Sequence, residues 1–318
     1  MKRSIVLLLA IAVISSMLFA QAVPESSTPE SKTVTITTLN GSRVKIEKEV
    51  PFNPERIAIL DMAALDIIDA LGEGSKVVGM ASTSLDYLSD YSSNTSLAKL
   101  GTIKEADLEA VMASEPDVIF IGGRLASSYD ALEKIAPVIY LSTDNEIGLV
   151  ESVKRNATTI ASLFGKENEV ESMMAGFTAR IDALRKIAEG KTAIVGLVTS
   201  GSLNILGADG RCSIISKEIG FKNLADDEVT STHGNESSFE IVVKKAPDYM
   251  FILDRDAAIN RAGAKLAKEI VENDLVKSTD VYKNGNIIYL AHPAVWYTAE
   301  GGIQALDIML SDLETELP

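Results

Sequence analysis

The sequence predicts an α/β protein in which two α/β lobes are joined by one long rigid helix. Two observations support this prediction: short apolar runs alternate with helical stretches in two separate series, and a long amphipathic segment lies between the series. Strands that alternate with helices are typical of parallel sheets covered by helices. We therefore expect an N-terminal lobe at 33–165, an interlobe helix at 166–189 and a C-terminal lobe at 190–318.

Residues 1–22 are predicted to form a cleavable secretory signal. Lys2 and Arg3 provide the positive region, an apolar core follows, and Ala20-Gln21-Ala22 offers a small-x-small cleavage site. A retained membrane anchor is the alternative. A lipoprotein is not expected, because the only cysteine, Cys212, lies far from this apolar core. These features predict a soluble protein exported to the periplasm.

The segment after the signal changes from a polar tether to regular structure. Residues 23–32, "VPESSTPESK", are rich in Ser, Pro and Glu and are predicted to be disordered. The next stretch alternates polar and apolar residues around Asn40-Gly41, which indicates a β-hairpin. Strands of the first series are then expected in "RIAILD", "KVVGMA", "PDVIFIGG" and "PVIYLS".

The segment between the two series has apolar residues at helical spacing, namely Val170, Met173, Phe177, Ile181, Leu184 and Ile187. One continuous helix here would be a stiff strut between two lobes, and an ordinary helix packed within one lobe is the alternative. The second series follows, with strands expected in "KTAIVGLVTS", "NILG", "PDYMFILD" and "NIIYLA".

An internal repeat supports the arrangement in two lobes. "LEAVMASEPDVIFIGGR" at 108–124 aligns without gaps on "FEIVVKKAPDYMFILDR" at 239–255, which pairs Arg124 with Arg255. Ligands of open α/β sheets bind beyond the carboxyl ends of the strands. We therefore expect both arginines to face a cleft between the lobes.

Composition and motifs exclude several classes of function. The formal charge of −15 becomes −17 when Lys2 and Arg3 leave with the signal, and so acidic a chain argues against nucleic acid and anionic lipid as partners. The sequence contains no G-x-S-x-G, phosphate-binding loop, G-x-G-x-x-G or H-E-x-x-H motif. Its two histidines cannot build a site of several imidazoles. An enzyme is not expected, and an unrecognised nucleophile is the rival from that class.

Five stretches near the expected strand ends carry polar residues suited to a ligand site: "GGRLAS", "GADGRCSIISKEIGF", "STHGNESSFE", "LDRDAAI" and "HPAVWYTAEGG". With "PERIAILDMAALDIIDALG" and "GTIKEADLEAVMASEPDVIFIGGR", they resemble the periplasmic iron-chelate binding proteins of ABC importers. The similarity is to the ferric catecholate siderophore branch, related to the enterobactin and petrobactin binders. It runs from about residue 33 to the end of the chain.

The resemblance implies roles for particular residues. Contact with an anionic chelate is implied for Arg124, Arg211 and Arg255, and we add Trp296 as a fourth contact. Direct coordination of iron is implied for His233 and Tyr297, with His292 as the alternative histidine. Docking to arginines of the membrane permease is implied for Glu109 and Glu240. Where some relatives have a lysine one turn after the first arginine, this chain has Ser127.

The chemistry of these residue types agrees with the resemblance. Guanidinium groups remain charged and donate fixed hydrogen bonds to oxygen, as a multiply negative ferric catecholate requires. Iron(III) prefers hard oxygen ligands and accepts imidazole, so a four-oxygen chelate leaves two positions for His233 and Tyr297. We expect a monomeric carrier without a permanently bound cofactor, in which Fe(III) is part of the transported siderophore. A haem or corrinoid carrier of the same architecture is the alternative.

Overall fold

The computed structural model describes residues 32–225, 235–237 and 239–318. The predicted signal at 1–22, nearly all of the tether at 23–32 and the candidate iron ligand His233 lie outside these residues. Residues Lys32–Pro318 make up one compact unit. Within the described ranges, no helix is long and apolar enough to cross a membrane.

The strands are β1 (Thr33–Leu39), β2 (Lys45–Pro51), β3 (Ile57–Leu60), β4 (Val77–Met80), β5 (Ala98–Lys99), β6 (Val118–Ile121), β7 (Val138–Tyr140), β8 (Thr192–Thr199), β9 (Ser202–Ile205), β10 (Lys222–Asn223), β11 (Asn235–Ser237), β12 (Tyr249–Asp254) and β13 (Ile287–Tyr289).

The α-helices are α1 (Met62–Ala70), α2 (Ser89–Ser93), α3 (Leu108–Ala113), α4 (Tyr129–Leu132), α5 (Leu149–Ser162), α6 (Glu167–Ala188), α7 (Ile214–Lys217), α8 (Glu240–Lys245), α9 (Arg255–Ala258), α10 (Ala267–Val271), α11 (Asp274–Lys277), α12 (Asp280–Lys283), α13 (Pro293–Thr298) and α14 (Ile303–Glu316).

The N-terminal sheet is parallel, with strand order β5-β4-β3-β6-β7. Every residue of β3 and β6 is buried, as expected for central strands covered by helices on both faces. The four strands predicted for the first series are confirmed, and β5 is an additional short strand. The hairpin predicted around Asn40-Gly41 is also confirmed, since β1 pairs antiparallel with β2.

The C-terminal sheet is mixed, whereas the alternation of strands and helices predicted a parallel one. Its order is β11-β9-β8-β12-β13, and β10 pairs with β8 off this path. β12 is parallel to β8 and β13, but β9, the predicted strand "NILG", is antiparallel to β8. The reason is the turn at Ser200 and Gly201, whose φ values of 54° and 83° allow a tight reversal of the chain.

Two aspartates show what the internal repeat does in the structure. Asp117, just before β6, accepts hydrogen bonds at Oδ2 from the backbone N–H groups of Glu55 and Arg56, which precede β3. Asp248, just before β12, accepts one from the N–H of Thr192 at the start of β8. Each aspartate therefore fastens its strand to the beginning of the neighbouring strand, and β6 and β12 begin at matching positions of the repeat.

The long helix α6 spans 22 residues between the two sheets, or about 33 Å at 1.5 Å per residue. Its buried side is formed by Val170, Met174, Phe177, Ile181 and Leu184. The helical spacing predicted that Met173 lies on this buried side. In the structure Met173 is only partly buried, and its neighbour Met174 is the buried residue.

The last helix, α14, follows the C-terminal sheet in the chain but packs against α1 and α6. Asp66 of α1 is fully buried and accepts hydrogen bonds from the N–H groups of Gln304 and Ala305. These two donors lie in the first turn of α14, where backbone N–H groups have no partner within the helix. The C-terminal end of the chain thus packs on the N-terminal lobe, and the buried carboxyl group of Asp66 holds the start of α14 there.

Candidate functional site

Three arginines surround the ring of Tyr297. Their guanidinium carbons lie 4.2 Å (Arg211), 5.6 Å (Arg255) and 5.8 Å (Arg124) from the centre of the ring. The four side chains come from separate parts of the chain: a 3₁₀ turn after β6, a loop after β9, the first residue of α9 and the helix α13. The structure therefore brings together all three predicted arginines and the predicted tyrosine.

Arg255 holds the hydroxyl group of the tyrosine. Its Nε donates to Tyr297 Oη over 2.9 Å, and its Nη1 donates to Thr199 Oγ1 over 3.0 Å. The carboxylate of Asp256 lies 3.6 Å from Nη1 and is shared with Arg261. Burial alone would raise the pKa of Asp256, but hydrogen bonds, the first from Ser200 N–H, keep it below its usual value. Arg255 is thus positioned by its neighbours with its guanidinium beside the phenol.

Arg211 lies against the face of the same ring. Its Nη1 donates to the backbone carbonyl oxygens of Tyr297 and Trp296, over 2.8 and 3.1 Å. Its Nε is buried and has no hydrogen-bond partner among the residues that the structure describes. An unpaired charged donor is costly to bury, so this nitrogen is available to an acceptor that enters the cleft.

Arg124 is exposed and interacts favourably with Asp61 and Tyr297 and unfavourably with Arg211. Partial burial, followed by the positive charge of Arg211, lowers the pKa of Arg124 below its usual value. Asp61 lies nearby, but burial raises its pKa to about 6, and its Oδ2 already accepts a hydrogen bond from Ala64 N–H at the start of α1. Arg211 therefore repels Arg124 while Asp61 attracts it, and an anion in the cleft would offset the repulsion between the two arginines.

Glu300 adds a second carboxyl group with an altered pKa. Burial raises the pKa of Glu300 to about 7, although the charge of Arg211 and a hydrogen bond from Cys212 N–H oppose the rise. Both Asp61 and Glu300 are consequently protonated more readily than an exposed carboxyl group. Protonation of either one increases the net positive charge of the site.

A cavity of about 180 Å³ lies between these groups. Its walls include Asp61, Arg124, Arg211, Tyr297 and Glu300, so residues of both lobes face it. Arg255 is not among the residues that line this cavity. We call it the cleft cavity. Gly122 in its wall has no room for a side chain, because an added Cβ would lie 2.5 Å from Asp61 Oδ1. Glycine at position 122 therefore allows the backbone of this turn to pass close to the side chain of Asp61.

The structure corrects the role expected of Trp296. This side chain is 0 % exposed, and its Nε1 donates to Asp312 Oδ2 over 2.8 Å inside the core. It does not line the cleft cavity. Only the backbone carbonyl of Trp296 participates, by accepting a hydrogen bond from Arg211.

The alternative histidine is bound to the same aspartate. His292 Nδ1 lies 2.6 Å from Asp312 Oδ1, and the backbone N–H of His292 donates to Asp312 Oδ2 over 3.1 Å. His292 is not among the residues that line the cleft cavity. His233 lies outside the described residues, and among those that are described no group of three or more His, Cys, Asp or Glu side chains could hold a metal.

Glu109 and Glu240 occupy equivalent surface positions. Both are exposed, and both lie in the first turn of a short helix, α3 or α8. Each helix leads directly into an aligned strand, β6 or β12. The two carboxylates therefore mark matching points on the two lobes.

The predicted set omitted two ionisable residues of the cleft cavity, Asp61 and Glu300. Asp61 directly follows β3, as the run "RIAILD" indicates, so its position at the carboxyl end of a strand was a usable signal. Glu300 belongs to the stretch "HPAVWYTAEGG", but nothing local indicates that its carboxyl group would be desolvated beside Arg211.

Comparisons with known proteins identify the family to which this chain belongs. Residues 57–294 match the family model described as periplasmic binding protein. The petrobactin-binding protein YclQ of Bacillus subtilis is 35 % identical over 272 residues, which cover 85 % of this chain and 84 % of YclQ. The ferric-anguibactin-binding protein FatB of Vibrio anguillarum is 26 % identical over 82 % of this chain and 81 % of FatB.

Solved structures show the same fold. The crystal structure of YclQ superposes with a TM-score of 0.81 at 33 % identity and covers 89 % of this chain and 98 % of that one. The periplasmic catecholate-siderophore binding protein VctP of Vibrio cholerae also gives a TM-score of 0.81, at 30 % identity, over 89 % of this chain and all of VctP.

Proposed function

The chain belongs to the periplasmic binding protein family, and from this premise we propose that it captures a ferric siderophore of the catecholate type and delivers it to an ABC importer. The siderophore occupies the cleft cavity between the lobes. Iron arrives and leaves inside its chelate, and the protein catalyses no reaction on it.

The arrangement of three guanidinium groups around Tyr297 carries this proposal. A ferric catecholate bears several negative charges on oxygen, and the guanidinium groups of Arg124 and Arg211 line the cleft cavity. Arg255 adds a third positive charge beside Tyr297, whose hydroxyl group accepts a hydrogen bond from it. The chain as a whole is strongly acidic, with a formal charge of −15. A concentration of positive charge in so acidic a protein is explained by an anionic ligand.

Tyr297 serves as an iron ligand when the chelate leaves coordination positions open. Its Oη is held by Arg255 and the residue is 5 % exposed, so Arg255 must release the hydroxyl before it can meet iron. We propose His233 as the second protein ligand. His292 is the weaker candidate, because its Nδ1 is engaged by Asp312.

Delivery to the permease uses Glu109 and Glu240. One exposed carboxylate on each lobe gives two contact points for arginines of a membrane partner, with the cleft cavity between the lobes. A monomer suffices for this mode of docking. The protein reaches the periplasm through the signal at residues 1–22, which is removed rather than kept as a lipid-modified anchor.

Intrinsic fluorescence titration tests the proposed function. Trp296 is the only tryptophan and is adjacent to Tyr297, so its emission reports on the cleft. Purified mature protein is titrated with a ferric tris-catecholate, a ferric bis-catecholate, a ferric hydroxamate and haem. Saturable quenching by the catecholates at the lowest concentrations supports the proposal. Preferential binding of haem, or no binding of any catecholate, would overturn it.

A further inference from the structure

A second and larger cavity, of about 780 Å³, lies beside the cleft cavity. The two cavities share wall residues that include Gly123, Arg211 and Glu300. The remaining wall is formed by the β1–β2 hairpin, the chain after β7 and one side of α5. We call this second cavity the cationic recess. A ligand in the cleft cavity can therefore extend into it without leaving the protein surface.

Positive charge exceeds negative charge in the cationic recess. Lys45 and Arg155 share a single carboxylate, that of Asp144, at 3.4 and 3.3 Å. Arg43 also lines the recess, and its Nη2 donates to the carbonyl oxygen of Gly123 over 3.3 Å. Together with Arg211 these residues place four cations around the recess, against Asp144 and the weakly acidic Glu300.

The backbone at Arg43 is in an unusual conformation. Its φ of 63° lies in the left-handed region, which glycine adopts readily and a side chain disfavours. Asn40 Oδ1 accepts hydrogen bonds from the N–H groups of Ser42 and Val44 and fixes the turn in this shape. Strain of this kind persists where surrounding structure imposes it, and here it coincides with an arginine in the wall of a cavity.

Resting on the proposed function, we propose that the cationic recess binds a carboxylate that the siderophore carries outside its iron-binding catecholates. Oxygens that coordinate iron stay near Tyr297, so a group that reaches Arg43 and Lys45 belongs to another part of the molecule. Guanidinium and ammonium groups bind both carboxylate and phosphate oxygens, and we choose carboxylate as the group for the test. The recess thereby selects carboxylate-bearing catecholate siderophores over neutral ones.

Two synthetic ferric catecholates that differ only in this group test the inference. One carries a free carboxylate on its backbone, and the other carries the primary amide. We expect the parent protein to bind the acid roughly tenfold more tightly, as a charge-assisted contact at a partly exposed site provides. In the double variant Arg43→Gln, Lys45→Gln, the ratio of the two affinities falls to about one, because the acid loses more affinity than the amide.

A matched control separates local contact from general charge. Lys268 in α10 is 66 % exposed, as is Lys45, and pairs with Glu272 away from both cavities. Lys268→Gln should leave the ratio of the two affinities unchanged. A circular dichroism spectrum identical to that of the parent shows that the fold of the double variant is intact, and Lys45→Gln alone tests the recess without disturbing the turn at Arg43.

Two different failures can be told apart. Equal affinity of the parent for the acid and the amide, or an unchanged ratio in the double variant, overturns the inference and leaves the proposed function standing. If the parent binds neither chelate, the proposed function fails and the inference fails with it.

Discussion

Arg255 Nε donates a hydrogen bond to Tyr297 Oη over 2.9 Å, and so occupies the oxygen that the proposed function assigns to iron. Arg211 stacks on the ring of the same tyrosine. When Tyr297 coordinates iron, its Oη therefore loses the hydrogen bond from the Arg255 guanidinium and gains a bond to Fe(III), which carries a higher positive charge. The arginines remain close enough to bind the oxygens of the chelate after this exchange.

Substituting Tyr297 separates two modes of binding. Tyr297→Phe keeps the ring that contacts Arg211 but removes Oη, so affinity for a tetradentate ferric catecholate should fall roughly 10- to 100-fold. The charge-transfer band that a phenolate gives with iron(III) should disappear from the visible spectrum. A hexadentate catecholate already fills the six positions of iron and should bind almost as it does to the parent.

His233→Ala is also expected to lower the affinity for the tetradentate chelate and to leave the affinity for the hexadentate chelate almost unchanged. Tyr289→Phe serves as the control, since this tyrosine interacts with Glu272 and does not line the cleft cavity. If Tyr297→Phe and His233→Ala both match the parent in affinity and spectrum, neither residue coordinates iron.

The two surface glutamates can be tested independently of ligand binding. Replacing Glu109 and Glu240 with alanine should abolish siderophore uptake in cells, because each lobe would lose its contact with a permease arginine. Chelate affinity of the purified variant should not change. The control pair is Glu151 and Glu269, which are also exposed in the first turn of a helix. Normal uptake by the Glu109 and Glu240 variant would remove both residues from the interface.

The helix α6 limits how far the lobes can move. A continuous helix of 22 residues resists the wide hinge bending that two flexible linkers permit. The radius of gyration from X-ray scattering should consequently be nearly the same with and without the ferric chelate. A large compaction on binding would mean that α6 bends or that the lobes pivot elsewhere.

The pKa of Glu300 predicts a dependence of stability on pH. Its value rises from 4.5 to about 7 on folding, chiefly through burial, so the folded state holds the proton more tightly than the unfolded state. This contribution to stability is complete below pH 4.5 and is lost as the pH rises through 7.

In the parent, the free energy of unfolding should therefore fall between pH 5 and pH 8 as Glu300 ionises. In Glu300→Gln this fall should be smaller by about 1 to 3 kcal/mol. Urea unfolding at the two pH values measures the difference. Glu269→Gln, at an exposed position, should keep the dependence of the parent. An identical pH dependence in the parent and Glu300→Gln would show that Glu300 ionises normally in the fold.

The sequence was sufficient to predict residues whose place follows from chain order. Arg255 directly follows β12, and Arg124 follows β6 after two glycines. The internal repeat aligns these two strands, and a residue just after a parallel strand lies at a predictable edge of the sheet. The contact of Arg211 with Tyr297 joins residues 86 positions apart, and no local pattern encodes it. That arginine was predicted from family resemblance alone.

Trp296 and Tyr297 illustrate a second limit. Neighbouring side chains on a helix point about 100° apart, so one can lie in the core while the other faces a cleft. The rotation of α13 is set by contacts such as the bond from Trp296 to Asp312, which a one-dimensional pattern does not reveal. The antiparallel strand β9 is different, because Ser200-Gly201 between two apolar runs was a visible turn signal.

The central claim is that the three arginines hold an anionic ferric chelate, and the amount of iron that the protein retains with and without them tests it most directly. Purified protein is mixed with excess ferric bis-catecholate, separated from free chelate by gel filtration, and assayed for iron per chain. We expect the parent to retain one iron, and each arginine to strengthen binding about 10- to 100-fold. The variant Arg124→Gln, Arg211→Gln, Arg255→Gln should then retain none while keeping the parent's circular dichroism spectrum. A parent that retains no iron, or a folded triple variant that retains as much as the parent, would contradict the account.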